Sequence, residues 1–225
     1  MIMILTSCDT SFESNTRLLV KGKVVDSDGN PVENAEISTY TYRGTGFFIY
    51  PAPTGSTEYL LGKNVSDANG DFSVISLYDN SSDFSIEIKA NEDYSEYIYR
   101  TSTYDYTPDD YLINLQEVTL NNLAQATISI SRTSGEGNTI SYSLNYFYPT
   151  CIEVYDEGVL NSAETFCNYP SYINNTLDDN LPDTAHTLNV TQGSEISFTY
   201  SINNEPEITE ILIVDVSNYQ FNFNY

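Results

Sequence analysis

One histidine, His186, and three cysteines, Cys8, Cys151 and Cys167, are the only imidazole and thiol groups in this 225-residue chain. A zinc site built mainly from imidazole is excluded on that count, because zinc sites draw three or four ligands from His, Cys and carboxylates. A Ser-His-Asp triad would have to use His186, which lies in the polar stretch Pro182-Asp183-Thr184-Ala185-His186, and no G-x-S-x-G elbow or phosphate loop accompanies it. A cysteine nucleophile meets the same obstacle, since His186 is its sole candidate base. The 32 acidic residues supply so many carboxylate pairs that pairing in sequence cannot single out a glycosidase site. These absences lead to the expectation that the chain is not an enzyme and uses no cofactor and no metal.

Two acidic glycine turns come nearest to a metal loop. Asp26-Ser27-Asp28-Gly29-Asn30 and Asp67-Ala68-Asn69-Gly70-Asp71 place oxygen-bearing side chains at alternate positions, like the opening of an EF-hand loop. The twelfth-position acid of that loop would fall on Ile37 in the first and on Tyr78 in the second, so both lack it. Turn chemistry accounts for them instead: Asp and Asn cap their own backbone, and Gly adopts positive φ.

Cys151 and Cys167 enclose a loop whose closure would stabilise the fold by roughly 3 kcal/mol if they pair. Two buried thiols are the alternative. A disulfide requires an oxidising compartment, which fits an exported protein with Cys8 committed elsewhere.

The formal charge is −24, from 8 basic and 32 acidic residues. Residues 9 to 120 carry 19 acids and 7 bases, and residues 121 to 225 carry 13 acids with Arg132 as their one base, so the acidity is global. Such a surface repels phosphate backbones, which argues against a nucleic-acid partner, and it favours solubility outside the cell. No stretch of about 18 apolar residues offers a membrane-spanning helix.

The elements that must carry these residues read as strands. Tyr 20 and Phe 10, with many Thr, Ile and Val, suit a pleated, half-buried surface. Alternating segments occur at residues 18–25 and 32–42, and again at 124–131, 139–148, 195–202 and 208–216, with 220–225 closing the chain. The expected fold is all-β, two β-sandwich domains in tandem over residues 18–120 and 121–225, the second immunoglobulin-like. The stretch from Asp156 to His186 reads as one long loop, joined to its domain at Cys167.

The run Gly22-Lys23-Val24-Val25-Asp26-Ser27-Asp28-Gly29-Asn30-Pro31, followed by Ala35 and Ile37 and later by Ser66-Asp67-Ala68-Asn69-Gly70-Asp71-Phe72, resembles the carboxypeptidase regulatory-like domain. That resemblance covers about residues 18–120. It implies a transthyretin-like sandwich with Ala35 and Phe72 pointing inward and the Asp-Gly turns closing hairpins. It also implies a structural or docking role in surface proteins of Bacteroidetes-type bacteria.

At the start, Met1 to Leu5 are apolar and lead into Leu5-Thr6-Ser7-Cys8, after which the chain turns polar. This is similar to a bacterial lipobox, although the apolar run is short and no basic residues precede it. The resemblance implies a lipid on Cys8, a membrane partner through that anchor, and an outer-membrane location in the cell envelope. Residues 1–17 would be signal-peptide remnant and tether, with Asp9 to Thr16 unfolded.

Aromatic residues supply the candidate contacts. The insert from Tyr40 to Gly62 contains Tyr42, Phe47, Phe48 and Tyr50, and the long second-domain stretch contains Tyr169 and Tyr172. Either could be an exposed contact surface, and the insert's aromatics could equally pack beneath the sandwich. The functional expectation is a non-catalytic structural or docking lipoprotein with an envelope protein as partner. The alternative is a surface lipoprotein that binds a glycan or a host protein.

Overall fold

The computed structural model describes residues 12–43, 57–80, 82–104 and 106–225. Strands follow one another as β1 (Phe12–Asp26), β2 (Glu36–Arg43), β3 (Thr57–Val65), β4 (Asp71–Asp79), β5 (Asp83–Lys89), β6 (Tyr97–Ser102) and β7 (Leu112–Leu120). They continue as β8 (Leu123–Ser131), β9 (Ile140–Asp156), β10 (Val159–Leu160), β11 (Phe166–Leu177), β12 (Thr184–Thr191), β13 (Glu195–Ile202), β14 (Ile208–Ile213) and β15 (Asn218–Asn224). The protein is all-β, with sandwich-forming sheets, and a single 3-10 turn at Asp109–Tyr111 breaks the pattern among the described residues. Among the described residues no helix is long and apolar enough to cross a membrane.

The chain forms two compact units, and it changes unit more than once. The first holds Met1–Lys89, Tyr97–Thr119 and Ile152–Thr165; the second holds Ala90–Glu96, Leu120–Cys151 and Phe166–Tyr225. The long strand β9 therefore serves both, its first part in the second unit and its last residues in the first.

In the first unit, β1 lies between β4 and β7, and β3, β2, β5 and β6 form a second sheet in that order. The period of two decides what is buried. Along β4, Phe72, Val74, Ser76 and Tyr78 face inward while Ser73 and Ile75 face out. Leu18 and Val20 of β1 and Ile37, Ile86 and Ile88 of the facing sheet are fully buried. Each such side chain stabilises the fold by about 1.5–3 kcal/mol. Ser66 joins the edges of this core: its hydroxyl accepts from Ala35 N at 2.8 Å and donates to Val32 O at 2.7 Å.

In the second unit, β13 pairs with both β14 and the first part of β9, and β11 also pairs with β9. Opposite these, β8 pairs antiparallel with β12 and parallel with β15. Ile128, Ile130, Leu144, Ile196 and Phe198 form the centre of the core, with Phe221 and Phe223 packed against it. Edge-to-face contacts of Phe198 with Phe221 and Phe223, at 5.8 and 5.1 Å between ring centroids, give that core its aromatic character.

Two expectations change. Strand β1 begins at Phe12, so the stretch expected to be an unfolded tether is in part strand, paired at Phe12 with Asp79 and with a shift of register before Arg17. The expected long loop from Asp156 to His186 is largely strand: β11 and the start of β12 fill it. The physical reason is cross-strand support that a local reading does not see, since β11 is held along β9 and His186 pairs with Ile128 of β8.

Candidate functional site

The two acidic turns have the same geometry. Asp26 Oδ1 accepts from Asp28 N at 2.9 Å and Asn30 N at 2.8 Å; Asp67 Oδ1 accepts from Asn69 N at 2.8 Å and Asp71 N at 3.0 Å. Gly29 and Gly70 close the turns at φ of 81° and 80°. Burial, which would raise the Asp26 pKa, is outweighed by the hydrogen bonds from Asn30, Asp28 and Gly29, which hold it below the ordinary carboxylate value. The Oδ1 atom of each Asp is thus committed to the backbone of its own turn, and Asp26 Oδ2 accepts from the Asn30 side-chain amide at 3.1 Å.

A tyrosine cluster gathers in the first unit. Tyr97 of β6 donates to Glu153 Oε2 at 2.6 Å, and Tyr155, on the same strand as Glu153, donates to that oxygen at 3.0 Å. Tyr99 stacks on Tyr155 with centroids 4.6 Å apart. Beside them is a cleft of about 390 Å³ lined by Tyr99, Tyr106, Ile113, Gln116, Tyr155 and Gly158. Burial, and then the Glu153 carboxylate, pushes the Tyr97 phenol well above its ordinary value; burial first, with Glu153 next, pushes Tyr155 up to about 12. These phenols therefore stay protonated at neutral pH and act as hydrogen-bond donors. The pairing of Tyr97 with Glu153, 56 positions away, had no signal in the sequence.

The second unit presents a different surface. Cys151 and Cys167 are joined by a disulfide, linking β9 to β11. Around that link Phe147, Tyr148, Phe166, Tyr169 and Tyr172 are exposed, and Phe166 and Tyr169 meet edge to face at 6.2 Å. Phe147, Tyr148 and Phe166 were not singled out in sequence. Consecutive Phe147-Tyr148 within an alternating strand was the available signal, because both rings cannot face one core.

Of the other expected contacts, Tyr42 is only 8% exposed. Its hydroxyl lies 2.8 Å from Glu58 Oε1 and 3.1 Å from Glu87 Oε1, so it is committed inside the sheet and is not a ligand contact. Cys8, Phe47, Phe48 and Tyr50 lie outside the described residues. His186 Nε2 is 2.6 Å from the Tyr142 hydroxyl, half-buried, with burial lowering its pKa. Burial also raises the Tyr142 pKa, so the phenol keeps its proton, and the tautomer of the imidazole sets which of the two groups donates.

Residues 4–93 match a family model described as dioxygenase. No curated protein matches the chain. Among solved structures, a 9R-lipoxygenase from Cyanothece is 18% identical, with a TM-score of 0.31 over 46% of this chain and 16% of that one. A 3-chlorocatechol 1,2-dioxygenase from Rhodococcus opacus is 16% identical, with a TM-score of 0.29 over 48% of this chain and 59% of that one. The shaft pilin SpaA from Lactobacillus rhamnosus GG is 10% identical, with a TM-score of 0.29 over 92% and 97%. The chain spans less than two thirds of the length of the first two, and similarity at these scores carries no argument about activity.

The family-model match overturns the expectation that the chain is not an enzyme. The hydrolase, phosphate-loop and zinc patterns that the sequence lacks have no bearing on dioxygen chemistry. One ligand set can be tested. Iron oxygenases of the facial-triad kind hold the metal with two imidazoles and a carboxylate. Residues 4–93 contain no histidine and the whole chain contains one, so this chain does not supply that set.

Proposed function

We propose that this chain is an exported envelope module that docks a partner protein through the aromatic ribbon of its second unit. The observation that carries the reading is the Cys151–Cys167 disulfide binding together two strands on which five large aromatics stand exposed. Disulfides persist in oxidising compartments. Clustered exposed aromatics are costly in water unless a partner covers them, and they supply rigid, amphipathic contact area. The net charge of −24 suits a protein that must stay soluble outside the cell.

Within this reading Cys8 is the lipidated residue of a lipobox, and the first unit is a carboxypeptidase regulatory-like, transthyretin-like docking domain. Burial of Ala35 and Phe72 and the matched Asp26 and Asp67 turns support the second point. The test is protease accessibility on intact cells with wild type and Cys8→Ala, both expressed from the full-length start. Surface cleavage of the wild type and loss of the variant from the membrane fraction are expected. A protein that stays protected, and is soluble with or without Cys8, overturns the anchor.

The dioxygenase match over residues 4–93 supports a second reading, oxygen-dependent catalysis in the first unit. Iron-dependent oxygen uptake by the purified protein with a catechol would favour it. Absence of both iron binding and uptake would count against it.

A further inference from the structure

A groove of about 640 Å³ runs along the second unit, and its lining differs in chemistry from the rest of this acidic chain. Ser141, Ser143, Asn174, Thr176, Thr199 and Tyr200 all border it, and Glu207 is the one charged residue that does. The strand register explains the lining. Ser141 pairs with Ser201, Ser143 with Thr199 and Asn145 with Ser197 across β9 and β13, and these outward positions alternate with the core residues Tyr142, Leu144 and Phe198. On the other side, Ser141 Oγ lies 3.1 Å from Thr176 Oγ1 of β11. Ile173 of β11 packs against the core, so Tyr172 and Asn174 share the outward face with Thr176.

The resulting surface is a lattice of hydroxyls and amides, about 7 Å apart along each strand and about 5 Å apart between strands. Tyr172, 70% exposed, lies two positions before the lining residue Asn174 on the same outward face of β11. Hydroxyl and amide groups donate and accept at once, as vicinal sugar hydroxyls do, and an exposed phenol ring can cover the apolar face of a sugar. An anionic polymer would meet the field of a chain with net charge −24, and no basic residue lines the groove to offset it.

We infer that this groove binds a neutral polysaccharide chain, with Tyr172 as the stacking platform and the Ser141–Thr176 side of the lattice as its hydrogen-bonding floor. The inference rests on export of the protein but not on the protein-docking reading, so either can fail alone.

The test is affinity electrophoresis of the full chain in gels containing dextran, xylan, mannan or a β-1,3-glucan, with polygalacturonate as the anionic control. Tyr172→Ala and Ser143→Glu are compared with wild type after circular dichroism and a thiol assay confirm the fold and the disulfide. Retardation of wild type by at least one neutral polymer is expected, weakened about tenfold in Tyr172→Ala and in Ser143→Glu. The inference is overturned if no neutral polymer retards the wild type, if both variants are retarded as strongly as it is, or if polygalacturonate binds best. Surface cleavage on intact cells that persists alongside such a failure would leave the export and docking reading in place.

Discussion

Tyr97 Oη and Glu153 Oε2 lie 2.6 Å apart, although 56 positions separate them in sequence. The same oxygen receives Tyr155 at 3.0 Å, so one carboxylate anchors two phenols of the first unit. Hydrogen bonds to charged groups are worth about 1.5–3 kcal/mol, and Tyr155 remains as a donor when Tyr97 is lost. Tyr97→Phe is therefore expected to lower stability by about 1–2 kcal/mol in urea titrations.

The raised phenol pKa values also set an alkaline limit. Folded Tyr97, Tyr99 and Tyr155 hold their protons more tightly than the unfolded chain, whose tyrosines titrate near the ordinary value of 10.0. The stability they contribute is complete below that value and is lost as pH rises through it toward the folded values. Unfolding monitored by absorbance of ionised tyrosine should begin above pH about 10 and show phenol ionisation together with loss of structure. In Glu153→Gln the ionisation should move to lower pH by a part of the shift only, since burial, the larger cause, remains.

Gly70 and Gly29 share a left-handed backbone but not a neighbourhood. A Cβ on Gly70 would overlap the Val24 carbonyl oxygen, whereas one on Gly29 meets nothing within 4 Å. Gly29→Ala should cost only the conformational penalty of about 1–2 kcal/mol. Gly70→Ala should cost clearly more, because the Val24 N to Gly70 O hydrogen bond of 2.8 Å must shift as well. Denaturation midpoints of the two variants, measured side by side, check the order.

His186 links the second unit to acid. Burial holds its pKa below the ordinary 6.5, so the unfolded chain binds a proton that the folded one resists. Stability of the second unit should then fall as pH drops below about 6.5 and level off once the folded imidazole is protonated. An NMR titration of the His186 ring should give a midpoint below 6.5, and His186→Gln should flatten that part of the stability profile.

Removing the Cys151–Cys167 link opens a loop of the size for which chain entropy predicts roughly 3 kcal/mol. The double variant Cys151→Ser/Cys167→Ser should lose about that much, and wild type in reductant should match it. Equal stability of oxidised and reduced wild type would show that β11 is held to β9 by its hydrogen bonds alone.

Local chemistry made much of this protein legible from its sequence. Alternation disclosed strands such as β8 and β13, because one buried face forces a period of two. The Asp26 and Asp67 turns were readable because capping and positive φ are settled within five residues, and the even pair of cysteines suggested a link. What only tertiary structure decided was non-local. Nothing within Phe166–Leu177 indicates a strand until β9 provides its partner, and nothing near Tyr42 announces that Glu58 and Glu87 enclose its hydroxyl. The Glu153 anchor and the hydroxyl lattice across β9, β11 and β13 likewise exist only where separate segments meet. A side chain's burial and partners depend on which strand is laid beside it, and that pairing is decided by the energy of the assembled core.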